Sequence, residues 1–328
     1  MRMSLIWPPI AALAAAAASL LPAAAKEFPL EPGQVAVGDL GDYTTEEKDT
    51  LLDVARSNDV GYTELMSVNP GVNPWLPGPD KRVTVPGFYL LPDGPRHGIV
   101  LNLPEQRVFY FPPGGGRVET YPIGAGVEGR LTPLGVTRII SKQVNPGWSV
   151  PASIRKERPE LPAYVPPGPD NPMGDLAMGL GWSGFYLHGT NKPDGVGRNV
   201  SHGCIHFYPE DIKRLFHEVK IGTPVRVINQ EVMTGWIDNQ LYVAVFPNKE
   251  QADQIDLEEP VTRVLPADLV QRVRVAAGDH ADEVDWALVT HLGLERRGIP
   301  TAVTPPVEAR DEPSPELDQS PVASVPAK

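Results

Sequence analysis

The sequence predicts a mostly β fold with α+β elements. Three observations carry that reading. Thirty-eight prolines and thirty-one glycines among 328 residues cut the chain into short elements and turns, which a helical bundle does not tolerate. From His97 onward, brief β-branched and aromatic runs alternate with turn residues: Gly98 to Leu103, Arg107 to Phe111 and Val118 to Ile123. Helical spacing is confined to short stretches such as Glu210 to Val219. There Ile212, Leu215, Phe216 and Val219 share one face, and Glu210 and Asp211 suit the positive N-terminus.

Residues 1–25 read as a secretory signal peptide. Arg2 supplies the positive start, Ile10 to Leu21 the apolar run, and Ala23-Ala24-Ala25 a small-residue cleavage site that leaves Lys26 first. The apolar run is too short to span a bilayer comfortably, and no later segment is long and apolar enough. The expected product is exported to the periplasm with no membrane span in the mature chain. A net charge of −12 argues against nucleic acid and against anionic membrane surfaces as partners. Roughly 300 mature residues exceed one ordinary core, so several units are expected. These are a module over 41–92, a β domain over 97–228, a hairpin and helical subdomain over 229–300, and a disordered tail over 301–328 rich in Pro, Ser and Glu.

Each unit has local signals. In the first, Asp49 to Ala55 reads as a short helix capped by Asp49, Tyr62 to Val68 as a second helix closed by Asn69-Pro70-Gly71, and Arg82 to Pro86 as a strand ended by proline. In the β domain, the first two strands are joined at Pro104-Glu105-Gln106, and Thr132-Pro133-Leu134-Gly135 turns into a fourth strand through Ile139. Residues 142–181 are rich in Pro and Gly and predict a surface excursion over a cleft. Phe185 to His188 and Pro224 to Ile228 are further strands. Trp236 to Val243 predicts a hairpin, and Ala267 to Val275 and Glu283 to Glu295 predict helices, the latter stopped by Arg296-Arg297-Gly298-Ile299-Pro300.

The chemistry centres on Cys204, the single cysteine, in Ser201-His202-Gly203-Cys204, with His188-Gly189-Thr190 upstream. A lone thiol cannot form an internal disulfide. A neighbouring imidazole can take its proton and raise the nucleophilic thiolate fraction. His202 is near in sequence, and His188 is near if its strand runs beside the cysteine. Gly203 leaves room for a substrate carbonyl and bares backbone N–H groups for an oxyanion. Nucleophile, base and oxyanion site are the parts of acyl transfer. Two other readings remain beside it. One is a small buried hydrophobe. The other is a zinc site, since His202, Cys204 and His206 alternate along a strand and His188 could make a fourth ligand, although zinc motifs use wider gaps.

The block His188-Gly189-Thr190 with Ser201-His202-Gly203-Cys204-Ile205, together with Thr132-Pro133-x-Gly135 and Gly195-x-Gly197-Arg198, resembles the YkuD-like L,D-transpeptidases. The Val284-Asp285-Trp286 and Gly298-Ile299-Pro300 segments are similar to the ErfK/YbiS branch. Tyr43-Thr44, Asp49-Thr50-Leu51, Asn69-Pro70 and Val83 to Pro86 resemble a βααβ LysM module, with Lys48 where that family has glycine. The resemblance implies a YkuD-like β catalytic domain that acts on peptidoglycan stem peptides without metal or organic cofactor. Cys204 would attack the carbonyl of the L-centre of diaminopimelate, D-alanine would leave, and an amine would resolve the thioester. The amine would be an outer-membrane lipoprotein lysine or a second diaminopimelate. His188 would be the base, oriented by the Gly189 carbonyl, and Gly203 and Cys204 would offer oxyanion N–H groups. Ser201, His202, His206, Arg198 and Tyr186 would bind substrate. His206 stands where the family has arginine, so Arg198 is expected to compensate at a substrate carboxylate. The non-enzymatic alternative is a wall-binding scaffold with a silent cysteine.

Overall fold

The computed structural model describes residues 26–126, 131–201 and 203–306. Residues 1–25, His202, the side chains of Val200 and Ser201, and residues 307–328 lie outside the described residues, and with them the expected leader and most of the expected tail. Among the described residues no helix is long and apolar enough to cross a membrane.

The described strands assemble a nine-stranded sheet in the order Lys26–Pro29, Arg117–Pro122, Arg107–Phe111, Gly98–Asn102, Pro224–Ile228, Gly135–Val144, Leu176–Leu180, Tyr186–His188, Ile205–His206. Period-2 alternation feeds two cores. Ile99, Leu101, Val108 and Tyr110 point to one face, with Ile212, Leu215 and Phe216 of the helix Pro209–Glu218. Val100, Phe109 and Phe111 point to the other, with Val37, Tyr89 and Leu91. Both faces of Gly98–Asn102 are thus covered, and all five residues are buried. The sheet pairs antiparallel except at two places: Pro224–Ile228 runs parallel to Gly98–Asn102, and Tyr186–His188 runs parallel to Ile205–His206.

The helix Pro209–Glu218 begins with proline, whose missing N–H costs nothing at a helix start, and carries Glu210 and Asp211 in its first turn. Arg56 clasps Glu210 with two bonds of 2.8 and 2.9 Å, tying the N-terminal module to this helix. That module runs strand Gly41–Thr44, helices Leu51–Ser57 and Tyr62–Val68, strand Arg82–Val85, the two strands pairing antiparallel. Thr50, not Asp49, caps the first helix, accepting the Asp53 N–H at 3.2 Å. Asp49 is drawn aside by the Tyr43 hydroxyl at 3.0 Å and the Glu46 N–H at 2.7 Å.

Several expectations are corrected. The segment 142–181 is not one surface excursion. Its start belongs to the strand Gly135–Val144, its end is the buried strand Leu176–Leu180, and between them lie a two-residue-strand hairpin at Trp148–Ser149 and Tyr164–Val165 and the helix Ala152–Glu157. The start of the expected tail is ordered: Thr301–Ala302 adds a third strand to the hairpin Val232–Ile237 and Gln240–Val245, because Val303 is buried in that subdomain's core. The hairpin turns through Asp238 and Asn239, both at positive φ, the geometry of a type I′ turn. The helices of this subdomain are Leu269–Ala277 and Trp286–Glu295, the second capped by Asp285 to the Leu288 N–H at 2.9 Å. The helix Lys249–Asp256, started by an Asn248–Gln251 capping box, and the edge strand Lys26–Pro29 were not expected from sequence.

The module meets the sheet over a buried arginine. Arg107 is fully buried, donates to Glu64 at 2.7 Å, Thr120 at 3.1 Å and the Asp59 carbonyl at 3.3 Å, and lies 4.2 Å from the Tyr89 ring centre. Removing one member of a buried pair leaves the other charge uncompensated. Arg107→Met should therefore destabilise the fold by about 3–5 kcal/mol, read as a lower urea midpoint. A midpoint unchanged within error would show that Glu64 needs no cation.

Candidate active site

The site is built where Tyr186–His188 lies beside Ile205–His206. The parallel register pairs Leu187 with Ile205 and His188 with His206. Side chains alternate along a strand, so the register sets His206 against His188 on one face, and Cys204 directly precedes that strand. The His188 and His206 ring centres are 4.7 Å apart. Leu187 and Ile205 point the other way into the core, fully buried, and this pins the register. His206 also exchanges backbone bonds with Gly124 at 2.9 and 3.0 Å, and the Phe207 N–H donates to the His188 carbonyl at 2.9 Å.

Each chemical group has a local support. His188 is buried, and its Nδ1 lies 2.5 Å from the Gly189 carbonyl oxygen. Gly189 can hold that place because a Cβ there would sit 3.2 Å from Ile212. Cys204 is partly buried, and its thiol donates to the Gly184 carbonyl at 3.7 Å. Gly203 has φ of 100°, a conformation that favours glycine, and its carbonyl accepts the Thr132 hydroxyl at 3.0 Å. Thr132 is buried, so the Thr-Pro-x-Gly turn braces the backbone that precedes the cysteine. That bracing role was not read from the sequence, which offered only the motif match.

The loop between histidine and cysteine is held from the module side. The Thr63 N–H donates to the Gly197 carbonyl at 3.0 Å, and a Cβ on Gly197 would fall 2.1 Å from the Tyr62 nitrogen. Gly197 is thus required by backbone approach. Arg198 pairs with Asp256 of the helix Lys249–Asp256, and its guanidinium lies 5.0 Å from the Tyr62 ring centre. Its charge is thus engaged by Asp256 in this structure, and contact with a substrate carboxylate would compete with that pair. Tyr186 opens the histidine strand and is half-buried. Ser201 and His202 contribute no described side chain.

The electrostatics of the resting site differ from the sequence expectation of an imidazole that ionises the thiol. Burial pulls His188 down to about 4, outweighing the support that the Gly189 and Met173 backbone gives its protonated form. Burial also pushes the Cys204 thiol up, against a smaller opposing contribution from the Tyr186 backbone. Both shifts favour a neutral thiol beside a neutral imidazole. Among the described residues no group of three His, Cys, Asp or Glu converges as metal ligands.

Two outcomes follow. The rate of Cys204 alkylation by iodoacetamide should keep rising beyond pH 9, because the thiolate forms only above the usual cysteine range; a plateau near neutrality would indicate a standing ion pair. His188 should also make stability pH-dependent. Its folded value of about 4 lies below an unfolded value near 6.5, so the unfolded chain binds the extra proton between them. Stability from this group is present above about 6.5 and is lost as pH falls towards 4, by up to about 3 kcal/mol. Urea midpoints of wild type and His188→Gln should converge on acidification; parallel curves would contradict the buried neutral ring.

Comparison with known proteins gives the chain's family. Residues 96–227 match the YkuD family model, described as the L,D-transpeptidase catalytic domain. The Escherichia coli protein named "Probable L,D-transpeptidase YcfS" is 38% identical over 307 residues, covering 90% of this chain and 94% of that protein. "Probable L,D-transpeptidase ErfK/SrfK" of the same organism is 39% identical over 216 residues, covering 62% and 68%. "Probable L,D-transpeptidase YbiS" is 36% identical over 248 residues, covering 74% and 79%. A relative this similar over nearly the whole of both chains carries the family with it: this chain belongs to the L,D-transpeptidases, in the branch of ErfK and YbiS.

Proposed function

We propose that the chain is an exported cysteine acyltransferase of the cell wall, working on peptidoglycan stem tetrapeptides. The observation that supports this reading most is the parallel pairing of Tyr186–His188 with Ile205–His206, which brings the strand ending in His188 beside the strand that directly follows Cys204, with His188 Nδ1 2.5 Å from the Gly189 carbonyl oxygen. Cys204 Sγ attacks the carbonyl carbon at the L-centre of diaminopimelate. Its proton passes to His188, a tetrahedral oxyanion forms, and the backbone N–H groups of Gly203 and Cys204 receive it. The C–N bond to the terminal D-alanine breaks, and His188 returns the proton to the departing amine. The thioester is then attacked by an amine, from a lipoprotein lysine or a second diaminopimelate, and the thiol is regenerated.

The neutral resting pair suits this order. A neutral imidazole is ready as a base without first losing a proton, and the thiol gives up its proton only as the S–C bond forms. His206, a half-buried neighbour of His188, takes the place of the family arginine and would contact substrate. Leu131 and Leu134 are exposed beside Thr132 and supply an apolar wall near Gly203. The βααβ module would present the wall's glycan strand to this site. The leader is proposed to be cut after Ala25 on export.

Purified protein with a disaccharide-tetrapeptide should release D-alanine, and its products should carry a new amide at diaminopimelate. Cys204→Ala should abolish release. His188→Gln should lower kcat about 10²–10⁴-fold. A protein that sediments with sacculi yet releases no D-alanine would instead support the scaffold reading.

A further inference from the structure

The edge strand Lys26–Pro29 starts at a buried pair of carboxyls, Asp59 and Asp211. The Lys26 backbone N–H donates to Asp59 Oδ2 at 3.0 Å. Asp59, in the turn between the two module helices, and Asp211, in the first turn of Pro209–Glu218, are each 1% exposed and lie against one another. Among the described residues no cationic group donates to Asp59 Oδ1 or to either carboxyl oxygen of Asp211; these oxygens have only each other, as two carboxyls sharing a proton. Buried carboxyl oxygens without a strong donor are costly, so a group that donates to them stabilises the fold.

The charges around the cluster are also out of balance. Asp211 faces Asp59 and its neighbour Glu210, and Glu64 and buried Glu105 gather around the same Arg107 that lies near both aspartates. Glu210 is answered by Arg56. For the remaining four carboxyls the cations are Arg107 and the Lys26 side chain, with Tyr89 and Tyr208 as neutral neighbours. Burial raises both Asp59 and Asp211, repulsion from Asp59 adds to the rise at Asp211, and the nearby Arg107 offsets this only in part.

We propose that the Asp59–Asp211 pocket is a receptor for the α-ammonium of Lys26, created when the chain is cut between Ala25 and Lys26. The inference rests on the cleavage reading given under the proposed function. Hydrolysis of that peptide bond adds hydroxide to the Ala25 carbonyl carbon and a proton to the Lys26 nitrogen, which takes a second proton from solvent to become an ammonium. One N–H donor is thereby replaced by three, bearing a full positive charge, at the atom already 3.0 Å from Asp59. The new pair joins three parts: the sheet edge through Lys26, the module through Asp59 and the catalytic helix through Asp211. Ile212, the residue after Asp211, packs on Gly189, whose carbonyl holds His188. Leader removal would thus tighten the docking of the module onto the catalytic unit.

The test compares two otherwise identical proteins. One starts at Lys26, released from an N-terminal fusion by a protease that leaves no extra residue. The other keeps Ala25 before Lys26. The Lys26 form should melt higher by roughly 3 °C or more. Asp59→Asn should erase the difference, and Asp211→Asn should reduce it. Should either variant fail to fold, Nα-acetylation of the Lys26 form serves as the second arm and should lower its melting temperature to that of the Ala25 form. N-terminal sequencing of protein recovered from an exporting host separates the two readings. A start other than Lys26 overturns the cleavage reading and this inference together. A Lys26 start with equal melting temperatures for the two forms overturns this inference alone.

Discussion

A two-residue parallel pairing governs the site. Leu187 against Ile205 and His188 against His206 is the smallest ladder that can bring two distant chain segments into register. Strand alternation allows no intermediate positions, so a slip of one residue would turn His206 into the core and Leu187 or Ile205 out of it. Such a short pairing contributes little by itself. Its register is fixed by what flanks it: two fully buried aliphatic side chains, the backbone bonds between His206 and Gly124, and the Thr132 hydroxyl on the Gly203 carbonyl. The module adds a further constraint from outside, because its second helix begins against Gly197 in the loop that joins the two strands.

Burial then decides the protonation state. A thiolate–imidazolium pair in this niche would have to offset the desolvation of two charges, and the backbone bonds that support His188 do not match that cost. Burial favours the protonated thiol of Cys204, whose sulfur lies 3.7 Å from the Gly184 carbonyl oxygen. In the proposed reaction, charge develops only with the substrate in place, on the oxyanion and the imidazole together. The same economy of charge appears at the module interface, where Arg107 answers Glu64 in a fully buried setting.

Much of this was legible in the sequence because it rests on local rules. The strands Gly98–Asn102 and Arg107–Phe111, the helix Pro209–Glu218 and the helix Tyr62–Val68 follow from periodicity and from turn residues at their ends. The motif around Cys204 was legible for a different reason: few chemistries use one cysteine between small residues and histidines. What escaped reading depends on distant partners. Lys26–Pro29 is a strand only because Arg117–Pro122 offers an open edge. Thr301–Ala302 is ordered because Val303 fills a core made by other segments, which a Pro-rich composition hides. The cap moved from Asp49 to Thr50 because Tyr43, six residues away, competes for the carboxylate. The pairing of Arg198 with Asp256 was hidden because the helix that carries Asp256 was not expected from sequence.

The central claim is that Cys204 carries the acyl group and that the His188 ring, held by Gly189, moves the proton. The most direct measurement is rapid quenching of the protein with a stem tetrapeptide in the absence of an acceptor amine, followed by peptide mapping. The account predicts an acyl mass increment confined to the peptide bearing Cys204, forming with release of one D-alanine per chain and forming far more slowly in His188→Gln. An increment on any other residue, or D-alanine release that persists in Cys204→Ala, would contradict it.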